Sequence, residues 1–579
     1  MDKFIFTKQI KAAAKNELCD LVIKNITIVD VFQNDSFISD VAIKDGYIVG
    51  IGNYEGKNNV EGSGKYICPG LIDAHAHIES SLTTPDEYYK AALKHGITSI
   101  ITDPHEIANV LGINGIELMM NLSENLPLDF YFMLSSCVPA TDFESSGARL
   151  KSEDLLPFYK NDKVLGLAEI MNAPAVFNCD EDMINKIWDA KDKGLVIDGH
   201  GAGFDETMIN TYATANIITD HECHNGQEVI ERLRRGMYVL IREGTVAKNL
   251  KELIKVASIK NSRRICFCTD DKHIDDLIKN GSVDNSIKMA IKHGLKPETA
   301  IQMCTLNTSE CYKLKHKGAI APGFIADFII LDNLEDFKIN SVYKNGKLVV
   351  SENKLLCDID KKNVKQYIKN SIILPKLDEN SLFISLKDKN ILNAIKIIPN
   401  KLESKHLKIS ISDLKDKEKF VADLEKDLIK IAVIERHNGT SNIGLGVING
   451  LNIKEGAIGT TIAHDSHNII LAGCNDEDMI FAANKLKDIG GGIIVVKNKK
   501  VLASIQLEIG GLVTRRDCKE IITDLNSLHK AVNEIAPNIN FNPFLTLSFL
   551  SLPVIPELKI TDKGLFDVTK FQFIEAASK

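Results

Sequence analysis

Residues 69–80 read PGLIDAHAHIES: a turn pair, Pro69-Gly70, then an apolar run that delivers His75 and His77 two positions apart. Side chains two apart on a strand share a face, so both imidazoles project the same way. Two imidazoles on one face are able to grip a single metal ion, but a lone His-x-His pair is equally readable as incidental. The rest of the chain decides between these. Seven further short apolar runs, GITSIITD, LDFYFMLSS, KVLGLAEI, GLVIDGH, ANIITDHE, MYVLIREG and RICFCTDD, alternate with helical stretches between about Leu71 and Lys315. With LIDAHAH they make eight strands in a βα rhythm, the pattern of a (β/α)8 TIM-like barrel whose active site gathers at the strand C-termini.

Several of these strands end in a residue that binds metal or moves protons. Glu169 closes VLGLAE, His200 closes GLVIDGH, His221 closes NIITDHE and Asp270 closes RICFCTD. Singly, each suits a helix cap or a loop contact. Together with His75 and His77 they offer four imidazoles and two carboxylates at one rim, enough for a two-metal site with one carboxylate, Glu169, between the ions. Asp103, His105 and Glu106 in TDPHE come after the second strand and reach the same rim. They read as further ligands, as partners fixing imidazole tautomers, or as contacts to substrate, against the plainer reading of an Asp-Pro turn and a capped helix. Glu222, next to His221, reads as a proton donor or as a solvent-facing loop residue.

Working outward, the flanks of the barrel segment match one another in style. DLVIKNITIVDVF, DVAIKDGYIVGIG and KYICPG precede it; GAIAPGFIADFIILDN and INSVYKNGKLVV come after it, with Asp45-Gly46 and Asn345-Gly346 as tight hairpin turns. One small β-sandwich domain from residues 1–70 plus 316–356 is expected, with the barrel at 71–315 inserted. A C-terminal α/β domain, 357–579, is expected after the Lys- and Asp-rich stretch CDIDKKNVKQYIKNSI. That domain carries a second polar cluster in AHDSHN, with His464, Asp465, His467 and Asn468. On its own the cluster suggests a metal site or a triad; the plainer reading is a domain that lies on the barrel and helps to close its site.

The bulk numbers agree with this plan. The 579 residues suit about three domains, and 44% hydrophobic with 26% charged residues is a globular balance. A formal charge of −8 supplies no basic field for nucleic acid, so a small, uncharged substrate is expected. No stretch approaches the roughly 20 apolar residues of a membrane span, and no leader pattern opens the chain, so a cytoplasmic location without membrane attachment is expected. Twelve cysteines without repeated C-x-x-C pairs are expected to be reduced thiols.

PGLIDAHAHIESS, TDPHEIANVLG, LGLAEIMNAP, DGH, TDHE and TDD, with NGTSNIGLG, AHDSHNIILAG and NDEDM further on, resemble adenine deaminases of the amidohydrolase superfamily nearly end to end. TDPHEIANVLG and AEIMN point to the branch in which a glutamate stands where relatives carry a carboxylated lysine. The resemblance implies that His75, His77 and Asp270 hold one divalent ion, His200 and His221 the other, with Glu169 bridging. Iron or manganese is implied; the donors themselves also suit zinc. The implied reaction is deamination of adenine to hypoxanthine and ammonia by a metal-activated hydroxide, with Asp270 moving the proton and His221, Glu222 or His105 assisting. Asp103, Glu106 and His273 are expected to touch the substrate, and a homo-oligomer is expected. The other deaminase pattern, H-x-E with a later P-C-x-x-C, is absent. Two competing readings stand beside this one: another two-metal amidohydrolase acting on a cyclic or acyl amide, and a scaffold without activity.

Overall fold

The computed structural model describes residues 2–359, 361–362, 371–378, 380–537 and 539–579. Eight strands make the barrel: β1 (Leu71–His77), β2 (Ile97–Thr102), β3 (Asp129–Leu134), β4 (Val164–Ile170), β5 (Val196–Gly199), β6 (Thr219–Asp220), β7 (Tyr238–Arg242) and β8 (Ile265–Cys268). Strands β1 to β5 pair in parallel succession, as do β6 to β8. Ile218 N donates to Ile197 O at 3.0 Å and joins the two arcs. The ring closes where Asp270 and Asp271 pair with Ala76 and His77. Every residue of β1 and β2 is buried, as expected of parallel strands packed on both faces. The one carboxylate inside β1, Asp73, is satisfied by Thr269, whose N and Oγ1 donate at 3.0 and 2.6 Å.

Outer helices obey the usual local rules. Glu181–Asp192 begins at Asp180, whose side chain accepts from Met183 N, and it buries Met183, Ile187 and Ala190 on one stripe toward the barrel.

The two flanks join where Phe328–Asn333 pairs antiparallel with Tyr66–Pro69. The nine strands of this small β domain form one continuous hydrogen-bonded sheet. It folds back on itself so that Tyr47 bridges Ile325, and the apolar faces of both ends enclose Ile28, Ile43, Ile67 and Phe328. Both hairpin turns adopt the positive φ their sequences require: +48° and +78° at Asp45-Gly46, +51° and +72° at Asn345-Gly346. Lys317 and Lys344 bind Asp327 of this domain and Asp129 at the start of β3, with Nζ to oxygen distances of 2.5–2.8 Å. The small domain is thereby fixed at the N-terminal end of the barrel, away from the strand ends that carry the histidines.

The C-terminal domain is built on a second nine-stranded sheet, eight strands from Ile391–Ile397 to Lys500–Gln506 and a ninth, Ala577–Ser578, paired with the first, with helices Asp476–Asp488 and Cys518–Ile535. Of CDIDKKNVKQYIKNSI, Asp360 and residues 363–370 lie outside the described residues, so the expected boundary falls at their edge. Asn468 Nδ2 donates to Ser145 O (2.8 Å), Thr561 Oγ1 to Phe143 O (2.7 Å) and Thr514 N to Leu82 O (3.0 Å). These partners sit in the loops after β1 and β3, so the domain covers the mouth of the barrel. All twelve cysteines are free thiols. No helix among the described residues is long and apolar enough to cross a membrane.

Candidate metal centre

His75 and His77 project together from β1, both buried. His77 Nδ1 lies 3.1 Å from the Asp103 carbonyl oxygen, to which it donates. That leaves Nε2 facing Glu169 Oε1 and Asp270 Oδ1, each at 3.3 Å. His75 Nε2 stands 3.8 Å from the same two oxygens. On the other side, Glu169 Oε2 lies 2.7 Å from His200 Nδ1 and 3.1 Å from His221 Nε2. The two oxygens of one carboxylate therefore divide the four imidazoles into pairs. His200 and His221 each stand one residue past their strands, and Asp270 two past β8 at φ +59°, a bend that turns its carboxyl group inward.

Neutral imidazoles and carboxylates both present lone pairs, so this buried cluster holds together only with protons or cations between its members. His75 Nε2, His200 Nε2 and His221 Nδ1 are buried without a hydrogen-bond partner among the described residues. A nitrogen and oxygen donor set of this kind, in several overlapping groups, fits a divalent metal site. Burial works against ionisation of Glu169, but His221, His200 and His77 hold its carboxyl well below the usual range. Burial likewise opposes the charge on Asp270, and His77 and Arg242 overcome it.

The remaining expected residues divide by position. His105 lines the cavity, with Nδ1 2.9 Å from Asp103 Oδ2 and 3.6 Å from Glu169 Oε1. Asp103 stands behind it and also accepts from Ser135 Oγ at 3.1 Å. Glu106 is set back as well; it accepts from Ser80 Oγ at 2.9 Å and lies 3.8 Å from His464 Nδ1. Glu222 faces the cavity rather than solvent: its Oε1 is 3.6 Å from His221 Nε2, and the Arg242 guanidinium grips both its oxygens. Burial opposes that charge, but Arg242 brings the Glu222 carboxyl down to about 2. His273, expected at the substrate, does not line the cavity. It is buried at the start of helix Ile274–Asn280, with Nδ1 3.4 Å from Asn542 Nδ2.

Arg242 is a site residue missing from the sequence-based expectations, although it closes β7, as Glu169 stands one residue from the end of β4, and so carries the same strand-end signal. Its Nη1 reaches Asp270 Oδ2 at 2.8 Å. The C-terminal domain contributes Leu402, His464, Asp465, Phe549, Leu552 and Ile555 to the cavity wall. AHDSHN is thus divided in use. His464 and Asp465 reach the cavity, while His467 Nδ1 accepts from Ala463 N (3.2 Å) and Asn468 fastens the domain to Ser145. With its Nδ1 lone pair engaged, neutral His467 carries its proton on Nε2 and has no lone pair for a metal. No local pattern marks Leu402, Phe549, Leu552 or Ile555.

Residues 66–349 match the amidohydrolase family, and residues 404–572 match the adenine deaminase C-terminal domain. The chain is 49% identical over 569 residues to the adenine deaminase of Geobacillus kaustophilus, covering 98% of each chain. It is 46% identical over 577 residues to that of Bacillus subtilis, covering 99% of this chain and 100% of that one. Among solved structures, the β-aspartyl dipeptidase of Fervidobacterium islandicum is similar at 16% identity and a TM-score of 0.45, over 60% of this chain and 99% of that one. With near-half identity sustained from end to end, the chain belongs to the adenine deaminase family of the amidohydrolases.

Proposed function

We propose that the deamination of adenine to hypoxanthine and ammonia, which is this chain's activity, runs at a two-ion centre. In this reading His75, His77 and Asp270 hold one divalent ion, His200 and His221 the other, and Glu169 both. The observation that supports it is the division of labour at Glu169: Oε1 faces His77 at 3.3 Å, while Oε2 faces His200 and His221 at 2.7 and 3.1 Å. When bound, iron or manganese, or zinc, lowers the pKa of water and neutralises developing negative charge.

The side chains supply the rest. Asp270 Oδ2 is anchored by Arg242 at 2.8 Å, and Oδ1 is left toward the His77 side of the cavity, suited to take a proton from water and pass it to the purine or the departing amine. His105, oriented by Asp103 at Nδ1, presents Nε2 toward Asp465 Oδ1 at the cavity wall, 3.7 Å away, as a second donor. Glu222, kept ionised by Arg242, serves as an acceptor rather than an acid, which changes the role first expected of it. Phe549, Leu552, Ile555 and Leu402 exclude water from the face opposite the cluster.

Two measurements on one preparation test this reading. Metal analysis is expected to give two ions per chain, with ammonia released from adenine by the manganese- or iron-loaded protein. Glu169→Gln is expected to lose ions and to lower kcat by about a thousandfold, ~4 kcal/mol in the barrier. A loaded protein that releases no ammonia from adenine but hydrolyses cyclic amides would overturn it.

A further inference from the structure

We infer that the C-terminal domain supplies the pair that reads adenine's far edge: Asp465 Oδ2 accepts the N9–H of the free base, and His464 Nε2 donates to the adjacent N3. The inference rests on adenine being the substrate.

Both side chains are 2% exposed and both line the cavity. Each is half committed within the protein. Asp465 Oδ1 lies 3.7 Å from His105 Nε2 and 3.6 Å from His464 Nδ1, while Oδ2 has no partner among the described residues. His464 Nδ1 faces Asp465 Oδ1 and, at 3.8 Å, Glu106 Oε1, while Nε2 likewise has none. Leaving a buried polar atom unpaired costs about 1–3 kcal/mol, more if charged, so two such atoms on consecutive residues at a cavity wall point to a ligand. Burial works against charge on His464, but Glu106 and Asp465 hold its pKa up at about 9, so Nε2 carries a proton at neutral pH. The wall thus offers one acceptor beside one donor.

Adenine places a donor beside an acceptor on three edges, N6–H with N1, N6–H with N7, and N9–H with N3 across C4; deamination at C6 commits the amino group to the metal cluster, which leaves the N3/N9 edge for this pair. The spacing agrees with that orientation. His105 separates the pair from the metal cluster, with one ring nitrogen 3.6 Å from Glu169 and the other 3.7 Å from Asp465. An aromatic ring's breadth therefore lies between the two ends, which lets C6 face the cluster while the N3/N9 edge meets the C-terminal domain. Phe549 stacks on His464 at 4.3 Å between centroids and 10° between planes, which fixes the direction of Nε2. A nucleoside has no N9–H, so this contact selects the free base.

Deaza analogues of unchanged size test it, measured as competitive inhibitors of adenine deamination. For wild type, 9-deazaadenine, with C–H in place of N9–H and its ring proton on N7, and 3-deazaadenine, without the N3 acceptor, are each expected to bind about 10- to 100-fold more weakly than adenine, the range of a hydrogen bond to a charged group. Only the part of the 9-deaza penalty that Asp465→Ala removes belongs to N9–H. Asp465→Ala is expected to raise KM for adenine by a similar factor and to reduce the 9-deaza penalty alone; His464→Ala is expected to erase the 3-deaza penalty alone. A purely structural role moves all three purines together, and that result would overturn the assignment. So would a fall in kcat at unchanged KM, which would make Asp465 a proton carrier. If either variant fails to fold or to retain metal, the wild-type constants decide: equal binding of the three purines rejects the inference. Absence of any ammonia from adenine in wild type would instead reject the substrate.

Discussion

At the level of single residues the decisive arrangement is a buried cation shared by two buried carboxylates. Arg242, 2% exposed, holds both oxygens of Glu222 and the outer oxygen of Asp270. A guanidinium does this because its fork is planar and permanently charged. Arg242→Met leaves two carboxylates without their shared partner, and a broken buried pair costs about 3–5 kcal/mol. We expect kcat to fall by about a hundredfold or more, ~2.7 kcal/mol, as Asp270 loses its orientation. Arg242→Lys is expected to recover only part, since a point charge does not span both carboxylates. The pH dependence has a definite sign. Glu222 has a folded pKa of about 2, below its ordinary 4.5, so its contribution is complete above about pH 5 and is lost as pH falls toward 2. The stability gap between wild type and Arg242→Met, read by denaturant unfolding, should therefore narrow on acidification; a constant gap would show that Arg242 does not hold Glu222 ionised.

Elements set where such residues arrive. Each barrel strand ends at the same rim, so the position of a histidine along the sequence is already its position in the site, and most of the wall residues from the strand ends are legible on that ground. Arg242 at the end of MYVLIR carries that same strand-end signal, but its role comes from Glu222 and Asp270, which follow two other strands, and no local pattern carries that pairing. The same holds for the loops that close the cavity. Leu402 and Phe549 are held by one side chain, Lys559, whose Nζ donates to their carbonyl oxygens at 2.7 and 2.9 Å from the strand Leu558–Thr561. Lys559→Met releases both carbonyls, and the expected result is a several-fold rise in KM for adenine with little change in kcat. Burial lowers the Lys559 pKa to about 7, so the folded state sheds this proton before the unfolded state does. From about pH 7 to 10 the unfolded chain binds more protons, and wild-type stability should rise relative to Lys559→Met across that window. Flat behaviour in the difference would place Lys559 in water. The folding back of the small domain's sheet is also beyond local reading: the hairpins are visible at Asp45-Gly46 and Asn345-Gly346, but the meeting of Tyr47 with Ile325 depends on chain nearly three hundred residues away.

Over the whole molecule, two ends of one barrel serve different purposes. The N-terminal end is tied to the small domain by Lys317, Lys344, Asp129 and Asp327, while the C-terminal end is roofed by a domain whose core runs continuously into that of the barrel. On the proposed two-ion reading, ions held at the roofed end would stabilise the folded state alone, by about 2.7 kcal/mol per site when free ion stands at a hundred times its dissociation constant. Removing them with a chelator should therefore abolish ammonia release and lower the thermal midpoint, and manganese at two equivalents should restore both. Because the cluster draws on β1, β4, β5, β6 and the turn after β8, the change should not spread evenly through the chain. Amide exchange is expected to quicken at residues 75–79, 169–171, 200–202, 221–224 and 270–272, and at 464–468 across the roof, where His105 and Glu106 couple the rim to Asp465 and His464. The sheet of the small domain, anchored at the opposite end, should exchange at the same rate with and without ions. Uniform quickening would mean that the ions hold the entire fold together; no quickening at 464–468 would mean that the roof is seated on the barrel independently of the metal centre.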